Sequence, residues 1–332
     1  MEKKPLELLE SFVNISSPSG SEKQFAEYLY QLLDTEFDHD YLELQQVAPD
    51  RHNVIMSKGV SALTLTSHID TVPTQIVTRV EGKKLFGTGA CDAKGQVVTQ
   101  LYAMKSAIAQ GLKNYGCFYV IGEEVDSIGA AATVDNPRLS GHYVLNGEPT
   151  GNKFVKESKG VMELSVGATG TEQHSSIVPF DSAIHKLIGG LNGLIEDPPS
   201  GSTVNVGVIE GGKAANMSAA DASANVNLRI SKASSAILAH VKDSLGGLTI
   251  NVDNAIEPFS FYVPPEFEAS AINVSFCSDS SYYASNYRRV MMFGPGDITV
   301  AHSINEYIDG EQIDEAIQVI GSLLLHLEED LR

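Results

Sequence analysis

Five side chains of the types that bind metal ions stand at long intervals in this chain of 332 residues, each closing an apolar, strand-like run. They are His68, Asp92, Glu124, Glu148 and His302. Ligands from several strands can meet at one edge of a parallel sheet, where α/β proteins place their sites. Two histidines and three carboxylates are what a pair of zinc ions sharing one bridging group needs. The pattern therefore predicts a metallohydrolase.

His68 and Asp70 alternate at the end of a predicted strand, so both side chains are expected on one face. A zinc-bound imidazole usually donates its other N–H to a carboxylate that fixes the ring, and Asp70 is the candidate for this role. Taken alone, the pair also fits a surface histidine and aspartate in a polar loop, because isolated motif matches are weak.

Asp92 follows a glycine-rich turn, 87–91, just before a helix predicted from Gln96 to Gln110. Glycines let the backbone approach closely, so a carboxylate can be held at the helix entrance and can bridge two metals with its two oxygens. An ordinary aspartate N-cap is the alternative for this position. Cys91 is expected to be a buried structural cysteine and not a thiolate ligand.

Glu123 and Glu124 are adjacent acids after an apolar run. Neighbouring residues point in different directions, so one can bind metal while the other acts as general base towards a water molecule. Two acids at a solvent-facing strand end are the alternative.

Glu148 follows a short predicted strand, 143–145, and its alternative role is that of a turn glutamate. His302 follows a glycine-proline loop in which the N–H groups around Gly294 and Gly296 are expected to be unpaired and to hold a substrate carboxylate. An exposed loop histidine is the alternative for His302.

The composition excludes several classes of protein. A formal net charge of -19, from 23 basic and 42 acidic residues, repels phosphate backbones and argues against nucleic acid as a partner. The first ten residues resemble the opening of an amphipathic helix, not a signal peptide, and no span resembles a membrane helix. Three widely spaced cysteines, Cys91, Cys117 and Cys277, do not form a disulfide framework, so a reducing cytoplasm is predicted.

The first part of the chain alternates helical and strand-like patterns. Strands separated by helices favour a largely parallel sheet covered on both faces. Ser19 and Ser21 are expected to cap the second helix. The predicted helices are 5–13, 21–35 and 96–110, and the predicted strands are 53–56, 62–67, 117–122 and 143–145.

Near Lys159 the pattern changes to the order β-α-β-β-α-β, which is a split βαβ sandwich of about one hundred residues. We expect an inserted second domain at 159–258 and a catalytic domain formed by 1–158 and 259–332. The predicted elements of the insertion are the strands 162–168, 203–210, 222–230 and 248–252 and the helices 181–195 and 234–245.

Taken together and in this order, the motifs resemble the co-catalytic zinc deacylase and carboxypeptidase family, which includes acetylornithine deacetylase, succinyl-diaminopimelate desuccinylase and aminoacylase. The resemblance implies a zinc-aminopeptidase-like α/β catalytic domain, with a mixed, mostly parallel sheet, and an inserted ferredoxin-like lid or dimerisation domain. The motifs that carry it are His68-x-Asp70-Thr71-Val72-Pro73, Gly87-x-Gly89-x-x-Asp92-x-Lys94-Gly95, Glu123-Glu124, Gly147-Glu148-Pro149-Thr150, and Gly294-Pro295-Gly296 with His302.

The family pattern implies two divalent metal ions, with zinc expected and cobalt or manganese compatible with the same ligands. It also implies roles for eight residues. His68, Asp92 and Glu148 would hold one metal, and Asp92, Glu124 and His302 the other; Glu123 would be the general base, Asp70 the orienting acid, and His174 an oxyanion donor, from the partner subunit in dimeric members.

Substrate recognition is expected from lid positions around Asn216 and from Arg229, whose guanidinium suits a carboxylate. Lys213 and Lys94 fit either substrate contacts or solvated charges. Asp279 stands where related deacetylases have an acid near the substrate side chain, or is a loop residue. The segment between Pro73 and Lys83 is shorter than in typical acetylornithine deacetylases, which predicts a trimmed pocket.

The resulting hypothesis is an amidohydrolase that removes an acyl group from a small N-acyl amino acid such as N-acetylornithine or N-acetylcitrulline, in arginine or lysine biosynthesis. Glutamate at position 148 favours this reading, because relatives with aspartate there tend to be peptidases. The alternatives are N-succinyl-diaminopimelate desuccinylase, a metallo-dipeptidase or carboxypeptidase, and a non-catalytic relative. A homodimer through the lid domain is expected.

Overall fold

The computed structural model describes residues 3–134 and 136–330, whose contacts divide them into two compact units. The first unit comprises the described residues up to 156 together with 261–272 and those from 278 onwards. The second unit comprises 157–260 and 273–277. The domain limits at 158/159 and 258/259 stay a prediction.

Helices of the first unit flank its sheet, and helices of the second unit pack on a sheet of their own. Single turns of 3₁₀ helix lie at Pro265–Phe267 and Ile298–Val300. The α-helices are α1 (Pro5–Val13), α2 (Lys23–Glu36), α3 (Lys94–Ala109), α4 (Ile128–Ala131), α5 (Ala183–Glu196), α6 (Ser234–Leu245), α7 (Ser280–Tyr283) and α8 (Gly310–Asp330).

The strands form a six-stranded sheet, a four-stranded sheet and two small three-stranded sheets in the described part of the chain. Their bounds are β1 (Tyr41–Ala48), β2 (Arg51–Lys58), β3 (Leu63–His68), β4 (Arg79–Glu81), β5 (Lys84–Phe86), β6 (Tyr115–Val120), β7 (Gly141–Asn146), β8 (Val155–Ser158), β9 (Gly160–Thr169), β10 (Thr203–Gly211), β11 (Asp221–Ile230), β12 (Thr249–Ile256), β13 (Phe259–Ser260), β14 (Ile272–Val274), β15 (Tyr287–Met292) and β16 (Tyr307–Asp309).

The central sheet of the first unit has the strand order β1-β2-β6-β3-β7-β15. The pairs β6/β3, β3/β7 and β7/β15 are parallel, whereas β1/β2 and β2/β6 are antiparallel. Every residue of β3 and β6 is buried, because these strands lie in the interior of a sheet with helices packed on it. The mixed, mostly parallel sheet predicted from the sequence is confirmed.

The second unit contains an antiparallel sheet in the order β10-β11-β9-β12, on which α5 and α6 pack. Every second residue of β11 from Ala222 to Ile230 is buried, as expected for a sheet covered on one face. Helix α5 buries Leu187, Leu191 and Leu194, which lie on one side at helical spacing. The chain order from β9 to β12 is the predicted β-α-β-β-α-β, and the predicted fold class is confirmed.

The two units have separate hydrophobic cores. The core of the first unit joins α1, α2, α3 and α8 to the central sheet, with residues such as Phe12 and Leu65 fully buried. The core of the second unit includes Leu164, Val226 and Val241 from its sheet and helices. None of the helices among the described residues combines the length and apolar composition needed to cross a bilayer.

Candidate metal centre

His68 ends β3 and is almost completely buried. Its Nδ1–H donates to the main-chain carbonyl of Asp70 at 3.0 Å. Because a carbonyl only accepts, the ring proton lies on Nδ1, and Nε2 is the nitrogen that could bind a metal ion. Nε2 lies 2.9 Å from Oδ1 of Asp92. A cation between these two atoms would satisfy both.

Asp92 stands two residues before α3, at the end of the glycine-rich turn. Its two oxygens face different imidazoles. Oδ1 lies 2.9 Å from His68 Nε2, and Oδ2 lies 3.4 Å from His302 Nε2. This is the arrangement expected of a carboxylate that bridges two ions.

Glu123 and Glu124 follow β6, and their main chain is held by Asp70. The Asp70 carboxylate accepts hydrogen bonds from the amides of Glu123 and Glu124, both at 3.2 Å. It also accepts one from the Ser19 hydroxyl at 2.7 Å. Glu124 in turn lies 2.9 Å from His302 Nε2. Asp70 therefore positions the acidic pair as well as His68.

The predicted role of Ser19 as a helix cap is wrong. Helix α2 begins at Lys23, and its N-cap position is Glu22, whose carboxylate pairs with Arg51 at 2.6 Å. Ser19 lies too far from the helix to cap it, and its hydroxyl donates to the carboxylate of Asp70 instead. Ser21 does not occupy the N-cap position either.

Glu148 lies just after β7 and is buried. Asn146 donates from Nδ2 to Glu148 Oε1 at 3.3 Å and to the Ser280 hydroxyl at 3.0 Å. Electrostatic interactions of Glu148 with His68 and Asp92 put its carboxylate beside the cluster.

Burial and mutual repulsion dominate the electrostatics of this cluster. Burial raises the pKa of Glu123 well above its ordinary value, and the Glu148 and Asp279 carboxylates raise it further, while His68 acts in the opposite direction. Burial likewise raises the pKa of Glu148. Hydrogen bonds to Asp92 and Glu124 raise the pKa of His302 to about 10. Buried carboxylates that crowd together in this way favour bound cations.

The donor set fits divalent metal ions. One ligand atom each from His68, Asp92 and Glu124 lies within 4.8 Å of the others. Imidazole nitrogens and carboxylate oxygens are ligands that zinc, cobalt and manganese accept. His302 is half-exposed, with its backbone in the left-handed region at a φ of 57°, and contacts both Asp92 and Glu124. The structure thus brings four of the five predicted ligands into direct contact and puts the fifth, Glu148, beside them.

Asp279 is buried next to this cluster, and neither of its carboxylate oxygens has a donor in hydrogen-bonding geometry among the described residues. Burial raises the pKa of Asp279 to about 7, and the charge of Asp70 adds to this, whereas the nearby Ser127 hydroxyl lowers it. Asp279 lies in a turn at the N-cap position of α7, so it is a loop residue, but a buried one, and its contact with a substrate stays a prediction.

The expectation that Gly294 and Gly296 present unpaired N–H groups is wrong. The Gly294 N–H donates to the Thr150 hydroxyl at 3.0 Å, and the Gly296 N–H donates to Gln312 Oε1 at 2.9 Å. A Cβ at Gly294 would lie 1.9 Å from a Gln96 side-chain oxygen. Packing therefore accounts for glycine at this position without a substrate.

His174, Asn216 and Arg229 belong to the second unit, and their contribution to the centre stays a prediction. His174 and Asn216 are exposed, and the ring nitrogen Nδ1 of His174 lies 2.8 Å from the Ser176 hydroxyl. Arg229 is half-buried, with Nη1 3.5 Å from the sulfur of Cys277.

Lys94 and Lys213, each predicted to be either a substrate contact or a solvated charge, differ in their burial and in their partners. Lys94 is buried and donates to the carbonyls of Phe12 at 3.1 Å and Ile15 at 2.6 Å, so it joins α1 to α3 and is not a solvated charge. Lys213 is exposed and pairs with Glu172 at 2.7 Å.

Glu306 is a residue of the centre that the sequence analysis missed. It is buried and accepts hydrogen bonds from the main chain of the Asp92 turn. Its position four residues after His302 was the available signal, but a glutamate in a polar loop is ordinarily exposed.

The buried His/Asp/Glu cluster of this α/β unit is a donor set that a metal-dependent hydrolase could use. The chain belongs to peptidase family M20/M25/M40, whose model matches residues 64–326. It is a metal-dependent hydrolase that acts on amide or peptide bonds, and the family resemblance noted in the sequence is confirmed. The family implies a small amide or peptide substrate.

Three curated relatives cover most of the chain. A peptidase M20 domain-containing protein, C757.05c, of Schizosaccharomyces pombe is 31% identical over 94% of this chain and 82% of its own. A probable carboxypeptidase of Aspergillus terreus is 32% identical over 92% of this chain and 82% of its own. The [LysW]-lysine/[LysW]-ornithine hydrolase of Sulfurisphaera tokodaii is 25% identical over 97% of this chain and 94% of its own.

Solved structures share the fold at low identity. A tripeptidase from Staphylococcus aureus subsp. aureus Mu50 has a TM-score of 0.82 at 19% identity, covering 98% of each chain. The M20 family metallo-carboxypeptidase Sso-CP2 of Sulfolobus solfataricus has a TM-score of 0.76 at 16% identity, covering 98% of this chain and 99% of its own.

Proposed function

We propose that the chain is a carboxypeptidase or dipeptidase that uses two divalent metal ions, expected to be zinc. It would cleave the amide bond to the C-terminal residue of its substrate and release that residue as a free amino acid. The observation that carries the proposal is the placement of Asp92, whose two oxygens face the Nε2 atoms of His68 and His302. The relative named as a probable carboxypeptidase, at 32% identity, supports an amino acid as the leaving group. The relatives therefore favour a peptidase over the N-acetyl amino acid deacylase predicted from the sequence.

The residues around this cluster have distinct proposed roles. A bound metal pair would polarise the scissile carbonyl and make a water molecule more acidic. Glu123 would accept a proton from that water and return it to the leaving amine, because it neighbours the ligand Glu124 and shares its Asp70 support. Glu148 would complete the ligand set.

His174 is proposed to donate a hydrogen bond to the scissile carbonyl. The amide of Ser176 donates to His174 Nδ1 at 3.3 Å, so Nδ1 is the acceptor in the neutral ring and Nε2 carries the proton. In this tautomer Nε2–H is free to donate a hydrogen bond, as the proposed contact with the scissile carbonyl requires. Arg229 and Asn216 are proposed to contact the substrate carboxylate.

A second candidate function is release of a basic amino acid from an N-acyl conjugate, including N-acetylornithine. Two observations favour it. The relative from S. tokodaii is named as a hydrolase of lysine and ornithine conjugates. Asp279 is a buried carboxylate with no donor in hydrogen-bonding geometry among the described residues, and a substrate ammonium group would supply one.

A substrate panel tests both functions. Zinc-, cobalt- and manganese-loaded protein would be assayed for amine release from dipeptides, N-acetylornithine, N-acetylcitrulline and N-succinyl-diaminopimelate, with a Glu123→Gln variant as the blank. Cleavage of dipeptides in preference to the acyl amino acids supports the peptidase. The reverse preference supports the deacylase, and inactivity on the whole panel with metal bound contradicts both.

The proposed role of Asp279 is tested with pairs of substrates that differ only in a side-chain ammonium group. Glycyl-lysine and glycyl-norleucine differ in the ammonium group, and N-acetyllysine and N-acetylnorleucine form the corresponding acyl pair. If Asp279 binds the substrate cation, Asp279→Asn lowers kcat/KM about 10-fold or more for the lysine compounds and leaves the norleucine compounds unchanged. An equal loss for both members of a pair contradicts this role.

We also propose that the second unit forms a homodimer. Strand β10 lies at an edge of its sheet and exposes Val208 and Ile209, while α5 exposes Ile188 and Ile195. An exposed edge strand with apolar side chains favours pairing with another chain. Light scattering after size-exclusion chromatography measures the mass, and a monomer at micromolar concentration contradicts the proposal.

A further inference from the structure

Glu306 holds the turn that carries Asp92. Its side chain is 1% exposed, and Oε1 accepts hydrogen bonds from the main-chain amides of Cys91 at 2.9 Å and Asp92 at 3.1 Å. The main-chain carbonyl of Glu306 accepts a third bond, from the amide of Gly87 at 3.1 Å. Glu306 therefore accepts hydrogen bonds from main-chain amides at both ends of the turn 87–92.

The same residue is fixed to the segment that carries His302. The Glu306 amide donates to the carbonyl of Ser303 at 3.1 Å, which closes a turn directly after His302. Strand β16 begins at the next residue and pairs with β5, which ends just before Gly87. The β5/β16 pair brings the two segments side by side, and the Glu306 carboxylate joins them at the end near the ligands.

The distance between the side chains of Asp92 and His302 depends on this link through Glu306. Oδ2 of Asp92 lies 3.4 Å from His302 Nε2, and these two atoms must both reach one ion if Asp92 bridges. Metal coordination tolerates changes of only about 0.2 Å in ligand distance. A shift of the Asp92 main chain relative to the His302 segment would therefore separate the ligands.

We propose that Glu306 is a positioning residue that sets the spacing between Asp92 and His302, and thereby determines retention of the metal ion shared by Asp92, Glu124 and His302. The inference rests on the proposed function, because it requires this cluster to bind metal. Glu306 touches neither metal nor substrate in this role. It acts through the main chain of Asp92.

Glu328 offers a matched control in the same unit. It is also buried, and its Oε1 accepts hydrogen bonds from two consecutive main-chain amides, those of Lys113 at 3.3 Å and Asn114 at 3.0 Å. Removing its carboxylate breaks the same kind of contact in a part of the fold that carries no proposed ligand. Any loss that follows simply from disrupting a buried glutamate should therefore appear in both variants.

The experiment measures bound metal at buffered free zinc, together with the visible spectrum of the cobalt-loaded protein. We expect the wild type to bind two ions. Glu306→Ala should bind one of them about 10- to 100-fold more weakly, as is typical when support of a ligand is lost, with an altered cobalt spectrum. Glu306→Gln keeps an oxygen that can accept both amides and should restore most of the affinity. Glu328→Ala should keep both ions at wild-type affinity.

Two further variants cover the case in which Glu306→Ala does not fold. Glu306→Asp shortens the side chain by one methylene and should still weaken one ion, whereas Glu328→Asp should not. The proposal is overturned if the Glu306 variants bind both ions like the wild type, or if the Glu328 variants lose as much. A wild type that binds no metal would overturn the proposed function itself, and this inference with it.

Discussion

Asp70 forms hydrogen bonds with three separate parts of the candidate centre. Its main-chain carbonyl fixes the ring of His68, and its carboxylate accepts the amides of Glu123 and Glu124 and the hydroxyl of Ser19. Although burial works against it, the hydrogen bonds from His68, Ser19 and Glu124 keep the pKa of Asp70 below its ordinary value. The residue is thus an acceptor only, surrounded by donors.

Replacing Asp70 by Asn should disturb this support. One carboxylate oxygen becomes an NH₂ group, which would face the amide of Glu123 or Glu124, so two donors would meet. We expect metal affinity to fall about 10- to 100-fold. Ser19→Ala removes one donor and leaves both carboxylate oxygens, so its effect should be several times smaller. Zinc affinity is measured by competition with a chelating dye, and equal losses in the two variants would argue against the donor clash.

The adjacent glutamates should respond differently to the same change. Glu123→Gln removes the proposed proton acceptor, and kcat should fall by about 10²–10⁴-fold with metal content unchanged. Glu124→Gln weakens a ligand that contacts His302, so metal content itself should fall. Turnover rates and elemental analysis of the dialysed variants separate the two. Loss of metal from Glu123→Gln would mean that Glu123 is a ligand and not a base.

Sequence reasoning found side chains whose type carries the chemistry and missed those whose role depends on distant partners. His68 and Glu124 stood out because an imidazole and a carboxylate followed strand-like runs, and Asp92 stood out because it followed a glycine-rich turn. Glu306 did not, since its partner, the amide of Asp92, is 214 residues away in the chain. The error at Gly294 has the same origin, because its N–H partner is Thr150.

Helix α3 starts against the turn that bears Asp92, and the packing there is tight. A Cβ at Gly95 would lie 2.3 Å from the carbonyl oxygen of Ala90 and 2.6 Å from a methyl group of Ile308. The first of these atoms belongs to the main chain and cannot rotate away. Glycine at this position lets the helix begin directly beside the turn that bears Asp92.

Two glycine-to-alanine changes in helices should therefore have opposite effects. Gly95→Ala should destabilise the first unit by about 1–3 kcal/mol, because the added methyl group overpacks. Gly189→Ala, in α5, meets no atom within 4 Å and should stabilise the second unit by up to about 1 kcal/mol, since alanine is the better helix former. Urea unfolding followed by hydrogen exchange in each unit measures both. A stabilising Gly95→Ala would contradict the packing.

Elements with strong apolar patterns were predictable, and others were not. Most of β3 and β6 was predicted, because the central strands of a sheet appear in the sequence as continuous apolar runs. Strand β15 was missed, since Arg288 and Arg289 interrupt its pattern. The small sheet of β4, β5 and β16 was also missed, because three-residue strands leave no periodicity.

The described residues form two hydrophobic cores, but the proposed metal ligands all belong to one unit. Bound ions would stabilise that unit by mass action, by about 4 kcal/mol at a thousandfold excess over Kd. They would also relieve repulsion among the buried carboxylates. The second unit contributes none of the proposed ligands.

Metal removal should therefore affect the two units unequally. After treatment with a chelator, we expect faster amide exchange around Asp92, Glu124 and His302, and unchanged exchange in β9 and β11. Hydrogen-exchange mass spectrometry measures both regions in one sample. Re-addition of zinc should restore protection, and uniform loss across both units would indicate general unfolding instead.

The distance along the chain between ligands has a consequence for biosynthesis. Glu124 and His302 meet in space but are 178 residues apart in sequence, and the whole second unit is translated between them. At about 5–20 residues per second, on the order of ten seconds or more separates their emergence from the ribosome. During that interval the acidic half of the centre exists without its last imidazole. Metal loading of the complete proposed site would therefore have to follow synthesis of the whole second unit.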